Sequence, residues 1–400
     1  MYRSGRRLGS LLVSVVAACG PSFQPAPTVS RLSAASNPDS ALSRPVLVGP
    51  NADTNDAMDY YQRAAQLIRL GIDLDTADMA LYWASRLDPA MPDPLYARAL
   101  VILRALGADE MRSLFQHGST GGMGLTPRQE KLVDSLMHQS WARNPFLYTD
   151  LNASLLPPFF PSAPLDPAVD GWRAYTLGNF ARAESLLAVA LRLHPGAVAL
   201  RMYRAQSLAK LGRLDSSAAE LRTARDTIES WENVHLSPIL PSLEMLDYAI
   251  GILKVNQDDF ALAREEFALA LKENLGFSWA HVRLAGVDLS LGDTATSLSE
   301  LDMAVQIEQR DPALRLYHGF ALRSARRYAE AADELRMALQ LDPYYAQPHY
   351  QLALLSLTTG DTVTALEHFR RFMAMAARRD PDRPGALRIL ADLAAAKDSR

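Results

Sequence analysis

Small and large apolar residues recur with a period of 34 residues in four stretches, which begin at Glu244, Ser278, Pro312 and Ala346. Two positions of each stretch are small, namely the eighth (Gly251, Ala285, Gly319, Ala353) and the twentieth (Ala263, Ser297, Ala331, Ala365). The twenty-fourth position is large and apolar (Phe267, Leu301, Leu335, Phe369). Small residues at fixed helical positions let two helices approach closely, and the large residue packs into the space between them. The pattern therefore predicts pairs of antiparallel helices that repeat along the chain.

Turn-like segments separate the two predicted helices of a stretch, as at Leu291-Gly292-Asp293 and Thr359-Gly360-Asp361. The period, the small positions and these turns together resemble the tetratricopeptide repeat (TPR). The resemblance implies an all-α fold, a TPR-type α-solenoid in which antiparallel helix pairs form a right-handed superhelix. Each repeat of a solenoid buries its apolar stripe against its neighbours in sequence. The resemblance also implies a binding role, because TPR arrays bind other molecules.

Weaker copies of the pattern lie upstream of the four regular stretches. In chain order we predict N-terminal TPR-like helices, an insert, degenerate repeats, an inter-repeat loop, four TPR repeats and a capping helix, at 56–107, 108–163, 164–231, 232–243, 244–379 and 380–400. The loop is predicted because Pro238 and Pro241 cannot donate backbone hydrogen bonds inside a helix.

The insert combines three features. Its Gly-rich stretch at 118–124 lacks the lysine of a phosphate-binding loop, which favours a surface loop. Thr126 and Pro127 then start a predicted helix. The segment 144–161 is apolar and interrupted by prolines, so it must pack against another surface. The nearby inner face of the repeats is one such surface. The sequence is compatible with an inner face that this segment fills and with one that is free.

A charged start, Met1–Arg7, and a short apolar run, Leu8–Ala18, form the amino terminus. The run is too short to span a bilayer, and the sequence Val16-Ala17-Ala18-Cys19 closes it. This tetrapeptide resembles the lipobox of bacterial lipoproteins. The resemblance implies a signal peptide at 1–18, a lipid on Cys19 and anchorage in the bacterial cell envelope, where we expect the outer membrane, facing the periplasm. An ordinary secretory leader with an incidental cysteine is the alternative.

Residues 19–55 are rich in Pro and Ser and contain few large apolar residues, so we expect a flexible, disordered tether. A random coil of this length reaches on the order of 30 Å. The formal net charge of the chain is −4, and removing the three arginines of the leader changes it to −7. The remaining chain has no basic patch of the kind that binds nucleic acid, so we expect no nucleic-acid partner.

Motifs for catalysis are sparse. Neither H-E-x-x-H nor G-x-S-x-G occurs, and the single cysteine is assigned to the lipid. His281, His318 and His349 fall in consecutive repeats, but no carboxylate shares a clear ligand spacing with them, which favours a core or rim role over metal binding. We therefore expect no enzyme activity, no metal and no cofactor.

In TPR arrays the first helix of each repeat lines the inner, concave face. The resemblance assigns the following residues to that face: Trp172, Tyr175, Met202, Met245, Tyr248, Ile252, Trp279, Val282, Leu316, Phe320, Arg323, Tyr350 and Leu354. Such an apolar face suits a protein or peptide partner, although an aromatic stripe at helical spacing also fits a core. The Lys and Asn residues with which some TPR proteins clamp a terminal carboxylate are absent at the corresponding positions.

An alternative function uses the same aromatic residues differently. A surface lipoprotein could capture a glycan or other nutrient by stacking it on Trp172, Tyr248 and Trp279. A pull-down with the mature domain, compared with a glycan array, would distinguish the two functions.

Overall fold

A computed structural model of the chain describes residues 44–104, 126–149, 151, 166–230 and 242–398. This part of the chain contains helices, turns and bends and no strand, which confirms the all-α fold class. Several predicted features lie outside it, namely the leader, Cys19, the Gly-rich stretch at 118–124, residues 152–161 and most of the loop at 232–243.

Seventeen helices occur in the described ranges. In chain order they are α1 (Ala57–Leu70), α2 (Leu74–Leu87), α3 (Asp93–Arg104), α4 (Pro127–Arg143), α5 (Pro167–Thr176), α6 (Phe180–Leu193), α7 (Val198–Lys210), α8 (Leu214–Glu229), α9 (Leu243–Val255), α10 (Phe260–Glu273), α11 (Ser278–Ser290), α12 (Thr294–Ile307), α13 (Pro312–Ser324), α14 (Tyr328–Leu341), α15 (Gln347–Thr358), α16 (Thr362–Met375) and α17 (Arg383–Asp398).

These helices belong to two compact units. The first unit comprises residues 67–75 and the described residues between 95 and 273, and so contains nearly all of α3 and the helices α4 to α10. The second comprises 44–66, 76–94 and 274–398, and so contains most of α1 and α2 and the helices α11 to α17.

Helices pair into hairpins wherever the sequence pattern places a small residue opposite a large one. A Cβ atom added to Gly251 of α9 would lie 2.5 Å from the ring of Phe267 in α10. A Cβ added to Gly319 of α13 would lie 2.8 Å from the Leu335 side chain in α14. Such distances are too short for a real contact, so glycine is what allows these two helix pairs to pack closely.

The turn inside each hairpin has a common geometry. Position 15 of all six repeats from residue 164 onward has a positive φ, and the residues are Gly178, Gly212, Asp258, Gly292, Arg326 and Gly360. The next backbone N–H closes a bond to the carbonyl five residues earlier, as from Asp293 to Asp288 at 2.8 Å. This bond ends the first helix in the manner of a Schellman motif. Asp293 also caps the second helix, because its side chain accepts from the Thr296 N–H.

The first helical hairpin packs out of sequence order in the second unit. Arg86 of α2 is paired with Asp342, which directly follows α14. Trp83 of α2 makes an edge contact with Tyr344, with 4.9 Å between ring centroids. The expectation that each repeat packs only against its neighbours in sequence is therefore wrong for α1 and α2. Non-local ion pairs and aromatic contacts join them to the last repeats.

The segment before α1 is also part of the second unit. Asp53 accepts a hydrogen bond of 2.6 Å from the Arg378 backbone N–H, and Asn55 donates one of 2.8 Å to the Ala374 carbonyl. The guanidinium of Arg44 lies 4.6 Å from the centroid of the Trp83 ring. The predicted tether boundary at residue 55 is therefore too late, because these polar side chains already contact the fold.

The last helix, α17, packs on the last repeat. Ala386 of α17 belongs to a buried cluster with Phe369 and Phe372 of α16, and Ile389 and Leu390 pack against it. Phe372 is fully buried and its ring lies 5.1 Å from the Tyr350 ring. The extra aromatic ring of this repeat therefore fills the space between α15, α16 and α17.

Candidate partner-binding surface

In the first unit the predicted inner-face residues are largely core residues. Tyr175, Met245 and Tyr248 are buried, while Trp172, Met202 and Ile252 are half-buried. Tyr248 is 0% exposed, and its hydroxyl donates a hydrogen bond of 2.5 Å to the Ala142 carbonyl in α4. Assignment of Tyr175, Met245 and Tyr248 to a partner-binding face is therefore wrong, since no partner can contact them in this conformation.

Part of the insert covers these residues. Phe146, just after α4, belongs to a buried cluster with Val198, Leu246 and Ile250, and Met202 and Ile252 pack against the same cluster. Tyr148 makes an edge contact with the Tyr175 ring at 5.7 Å. The sequence left open whether the segment 144–161 fills the inner face, and its described residues do so in the first unit. The hydrophobic effect is the physical reason, because packing removes the apolar side chains of the segment and of the inner face from water.

In the second unit the predicted residues divide into two groups. Trp279 and Val282 of α11 are buried, and the Trp279 ring lies 6.0 Å from that of Tyr317. Placing these two at a binding face is therefore wrong. The other five residues are half-buried or exposed, and together they are called the C-terminal inner face: Leu316, Phe320 and Arg323 of α13, and Tyr350 and Leu354 of α15.

The C-terminal inner face joins apolar surface to one cation. Leu316, Phe320 and Arg323 follow a spacing of four and then three residues, which places them on one side of α13. Phe320 is 41% exposed, which is high for a large aromatic ring. The Arg323 guanidinium lies over this ring, 5.3 Å from its centroid. This distance is typical of a cation–π contact.

Among the described residues, none accepts a hydrogen bond from the buried Nε atom of Arg323. Its charge acts on the neighbouring helix α15. Burial raises the pKa of the Tyr350 hydroxyl, Asp382 and Asp380 raise it further, and Arg323 lowers it. The phenol is therefore within electrostatic reach of one cation and two carboxylates.

A polar contact recurs inside the hairpins. It joins position 4 of the repeat, in the first helix, to position 23 of the repeat, in the second helix. Arg201 contacts Glu220 at 2.9 Å, His281 contacts Glu300 at 2.6 Å and Arg315 contacts Glu334 at 2.9 Å. The apolar positions of the repeat do not reveal this contact, because its residues are polar. The signal was present, since the two residues are always 19 positions apart.

The last repeat replaces this ion pair with two histidines. The Nδ1 atoms of His349 and His368 are 3.0 Å apart. Burial lowers the pKa of His349 to about 4, with the charges of His368 and Arg371 contributing. Burial also lowers the pKa of His368, as does Arg371. His281, His318 and His349 are all buried, and the described ranges contain no group of three or more His, Cys, Asp or Glu residues arranged to hold a metal.

Repeated helical hairpins with these small positions and turns define a TPR-type fold. Residues 170–230 match the family model of the tetratricopeptide repeat. TPR proteins are generally scaffolds that bind other proteins or peptides. No helix in the described ranges has the length and apolar character needed to cross a membrane.

Among proteins of known identity, the TPR repeat-containing thioredoxin TTL4 of Arabidopsis thaliana is 35% identical over 77 residues. The inactive TPR repeat-containing thioredoxin TTL3 of the same plant is also 35% identical over 77 residues. Each alignment covers 19% of this chain and 11% of the relative.

Two solved structures resemble parts of the chain. YrrB, a TPR protein with an unusual peptide-binding site, is 19% identical, and the match covers 50% of this chain and 96% of YrrB with a TM-score of 0.40. MamA from Desulfovibrio magneticus RS-1 is 20% identical, and the match covers 46% of this chain and 97% of MamA with a TM-score of 0.39.

Proposed function

We propose that this protein is a non-catalytic scaffold that binds a protein or peptide partner through the C-terminal inner face. The exposure of the Phe320 ring carries this proposal, and the other four residues of the C-terminal inner face are half-buried. Aromatic side chains are frequent anchors of protein interfaces. Leu316 of α13 and Leu354 of α15 are half-buried apolar residues, and an apolar surface of this kind suits an amphipathic helix or an extended apolar segment.

We further propose that the scaffold is anchored by lipid at Cys19 in a bacterial envelope membrane. The basic start, the short apolar run and the sequence Val16-Ala17-Ala18-Cys19 support this proposal. Two or more acyl chains provide stable anchorage, whereas one is marginal. Arg44 already contacts the helical domain through the Thr54 carbonyl, so the tether of this proposal lies upstream of Arg44.

Capture of a glycan receives less support than protein binding. Two of the three rings that would stack on a sugar, Tyr248 and Trp279, are 0% and 4% exposed. Only Trp172 is half-buried. A stacking platform needs an accessible ring face, so no observation favours this alternative.

Site-specific photocrosslinking tests the binding surface. A benzoylphenylalanine replaces Phe320 in the full chain, expressed in its own cell envelope, and in a matched control it replaces Met337 of α14. The two positions are 41% and 39% exposed, so accessibility does not distinguish them. We expect one defined adduct from position 320 that position 337 does not give, and the purified partner should bind Phe320→Ala more weakly. Equal crosslinking at both positions would contradict the proposal.

Mass spectrometry of the mature amino terminus tests the anchor. We expect an acylated Cys19 and loss of membrane association in Cys19→Ser. A mature terminus with an unmodified thiol, or a terminus at another residue, would refute lipid anchorage and leave the binding proposal unaffected.

A further inference from the structure

The segment before α1 presents two large aliphatic side chains to solvent. Residues 44–48 belong to no helix or turn. Pro45 is buried and Leu47 is half-buried, whereas Val46 and Val48 are 81% and 69% exposed. This alternation is typical of an extended chain, in which successive side chains point to opposite sides. Val46 and Val48 therefore share the side that is turned away from the fold, and together they are called the valine face.

Contacts on both sides of the valine face hold it in place on the second unit. Upstream, the Arg44 guanidinium lies over the Trp83 ring, 4.6 Å from its centroid. Downstream, the Arg378 Nη2 atom donates a hydrogen bond of 2.7 Å to the Asn51 carbonyl. The exposure of the valine face is thus a property of a segment that is fixed at two points.

We infer that the valine face lies on the lipid surface to which the protein is anchored. This inference rests on the proposed lipid at Cys19. Val46 follows Cys19 by 27 positions, and a random coil of that length reaches on the order of 30 Å. A short tether keeps a second contact site at a high effective concentration beside the first. A weak apolar contact is therefore sufficient to hold the valine face against the bilayer.

The chemistry of this segment suits the boundary between lipid headgroups and acyl chains. Residues 45–52 contain no charged side chain, so contact with lipid removes no ion from water. Exposed aliphatic side chains gain free energy when they leave water at this boundary. The non-helical backbone can still bond to water and headgroups there, which a position in the hydrocarbon would prevent. The contact is therefore interfacial and supplements the acyl chains.

Fluorescence of the full, lipidated chain in vesicles tests the contact. Cys19 is the single cysteine of the chain and its thiol is occupied by the lipid, so Val46→Cys and Val48→Cys each introduce one free thiol for a nitrobenzoxadiazole dye. Vesicles of phosphatidylethanolamine and phosphatidylglycerol are prepared with and without nitroxide-labelled acyl chains. The soluble reference is the same labelled position in a Cys19→Ser chain, in which residue 19 takes neither lipid nor dye.

Val363→Cys on α16 is the matched control, because Val363 is 78% exposed in the same unit. Asn55, a few residues after the valine face, donates to the Ala374 carbonyl near the end of α16. Val363 lies near the start of that helix. The two positions are about 16 Å apart at a rise of about 1.5 Å per residue. The control therefore has the same side chain and a similar exposure at a separate place.

We expect the dye at position 46 or 48 to emit at shorter wavelength in vesicles than in the soluble reference. Nitroxide lipids should quench it at least about two-fold more than the dye at position 363, because an interfacial side chain lies beside the acyl chains. Val48→Ser should reduce the quenching of a dye at position 46, and thermal melting checks that this variant is folded. Equal quenching at positions 46, 48 and 363 would overturn the inference. So would a wavelength shift without quenching, since it would mean that protein, such as a second copy of the chain, covers the valine face.

Mass spectrometry of the same samples separates this inference from the proposed anchor. An acylated Cys19 with equal quenching at positions 46 and 363 would refute the lipid contact and leave the anchor intact. An unmodified Cys19, in protein that does not sediment with the vesicles, would refute both.

Discussion

Arg86 and Asp342 form a two-point ion pair although 256 positions separate them in the chain. The Arg86 Nε donates to Asp342 Oδ2 at 2.5 Å and Nη2 donates to Oδ1 at 3.1 Å. The Asp342 side chain is 4% exposed. Burial raises the pKa of Asp342, whereas the hydrogen bond and charge of Arg86 lower it. The pair thus joins the first helical hairpin to the end of α14.

Because the Asp342 carboxylate is buried, we expect the pair to stabilise the second unit. A double-mutant cycle of Arg86→Met and Asp342→Asn, measured by urea unfolding, should give a coupling energy of about 1–3 kcal/mol. The pair Arg336–Asp333 is the control, since its side chains are 61% and 78% exposed. Exposed pairs couple by less than about 1 kcal/mol. Equal coupling in the two cycles would show that the non-local pair adds nothing to stability.

The close packing of α9 on α10 predicts opposite effects for two glycine substitutions. Gly251→Ala places a methyl group 2.5 Å from Phe267, and overpacking of this kind costs about 1–3 kcal/mol. Gly286 lies in α11 with no atom within 4 Å of an added Cβ. Gly286→Ala should therefore stabilise the protein by up to about 1 kcal/mol, as expected from helix propensity. Thermal unfolding of the two variants measures both, and a stabilised Gly251→Ala would contradict the packing argument.

The turn of the repeat at 312–345 predicts a stabilising substitution. Arg326 has a φ of 63°, and in four of the other repeats the residue with this conformation at the same position is glycine. A side chain in the left-handed region costs roughly 1–2 kcal/mol, and the extra chain entropy of glycine offsets part of the gain. Arg326→Gly should raise the free energy of unfolding by up to about 1 kcal/mol. Gly360→Ala, at the same turn of the next repeat, should lower it, and equal signs for the two variants would refute this reasoning.

The histidine pair of the last repeat predicts a loss of stability in acid. The folded-state pKa values of His349 and His368 lie below the ordinary value of about 6.5. The folded state therefore excludes protons that the unfolded chain accepts. The part of the unfolding free energy that depends on these neutral histidines is fully present above pH 6.5. It is lost as the pH falls towards the His349 pKa of about 4. Between pH 7 and 5 we expect a loss of about 1–2 kcal/mol.

His368→Glu tests this prediction by restoring the arrangement of His281 and Glu300. Burial lowers the pKa of His281, but hydrogen bonds to Glu300 and to the Leu275 carbonyl raise it above the ordinary value. The new carboxylate should likewise raise the pKa of His349. The other charged groups that act on the histidine pair are Arg371, Glu367 and Arg336. Urea midpoints at pH 7, 6 and 5 should therefore fall less in the variant than in wild type. Parallel curves would rule out the histidine pair as the cause.

The burial of Phe146 leads to a prediction about how much the insert stabilises the first unit. Its ring is 9% exposed and contributes to the cluster that contains Leu246 and Ile250. Phe146→Ala should cost about 3–5 kcal/mol in that unit and increase the fluorescence of a hydrophobic dye such as ANS. Leu132→Ala is the control, since Leu132 of α4 is 39% exposed. Unchanged dye binding in Phe146→Ala would indicate that other residues keep the cover in place.

Much of the local structure was predictable because it depends on short-range spacing. The position of α4 followed from Thr126 and Pro127, because Thr126 forms a capping box with Gln129 and Pro127 is the first residue of the helix. The contact of His281 with Glu300 could have been predicted from its 19-residue spacing. Accessibility was not predictable in the same way. Tyr248 and Phe320 were both assigned to the inner face, yet Tyr248 is 0% exposed and donates to the Ala142 carbonyl, whereas Phe320 is 41% exposed.

The sequence by itself determined the helical hairpins, their 34-residue step and the residues that close each turn. These features follow from steric and hydrogen-bonding rules that act over a few residues or across one hairpin. Only the tertiary structure decided that Arg86 meets Asp342, that Phe146 covers one inner face, and that the Phe320 ring is 41% exposed. Such contacts join segments far apart in the chain, and a local spacing pattern contains no information about which distant segment will bury a given side chain.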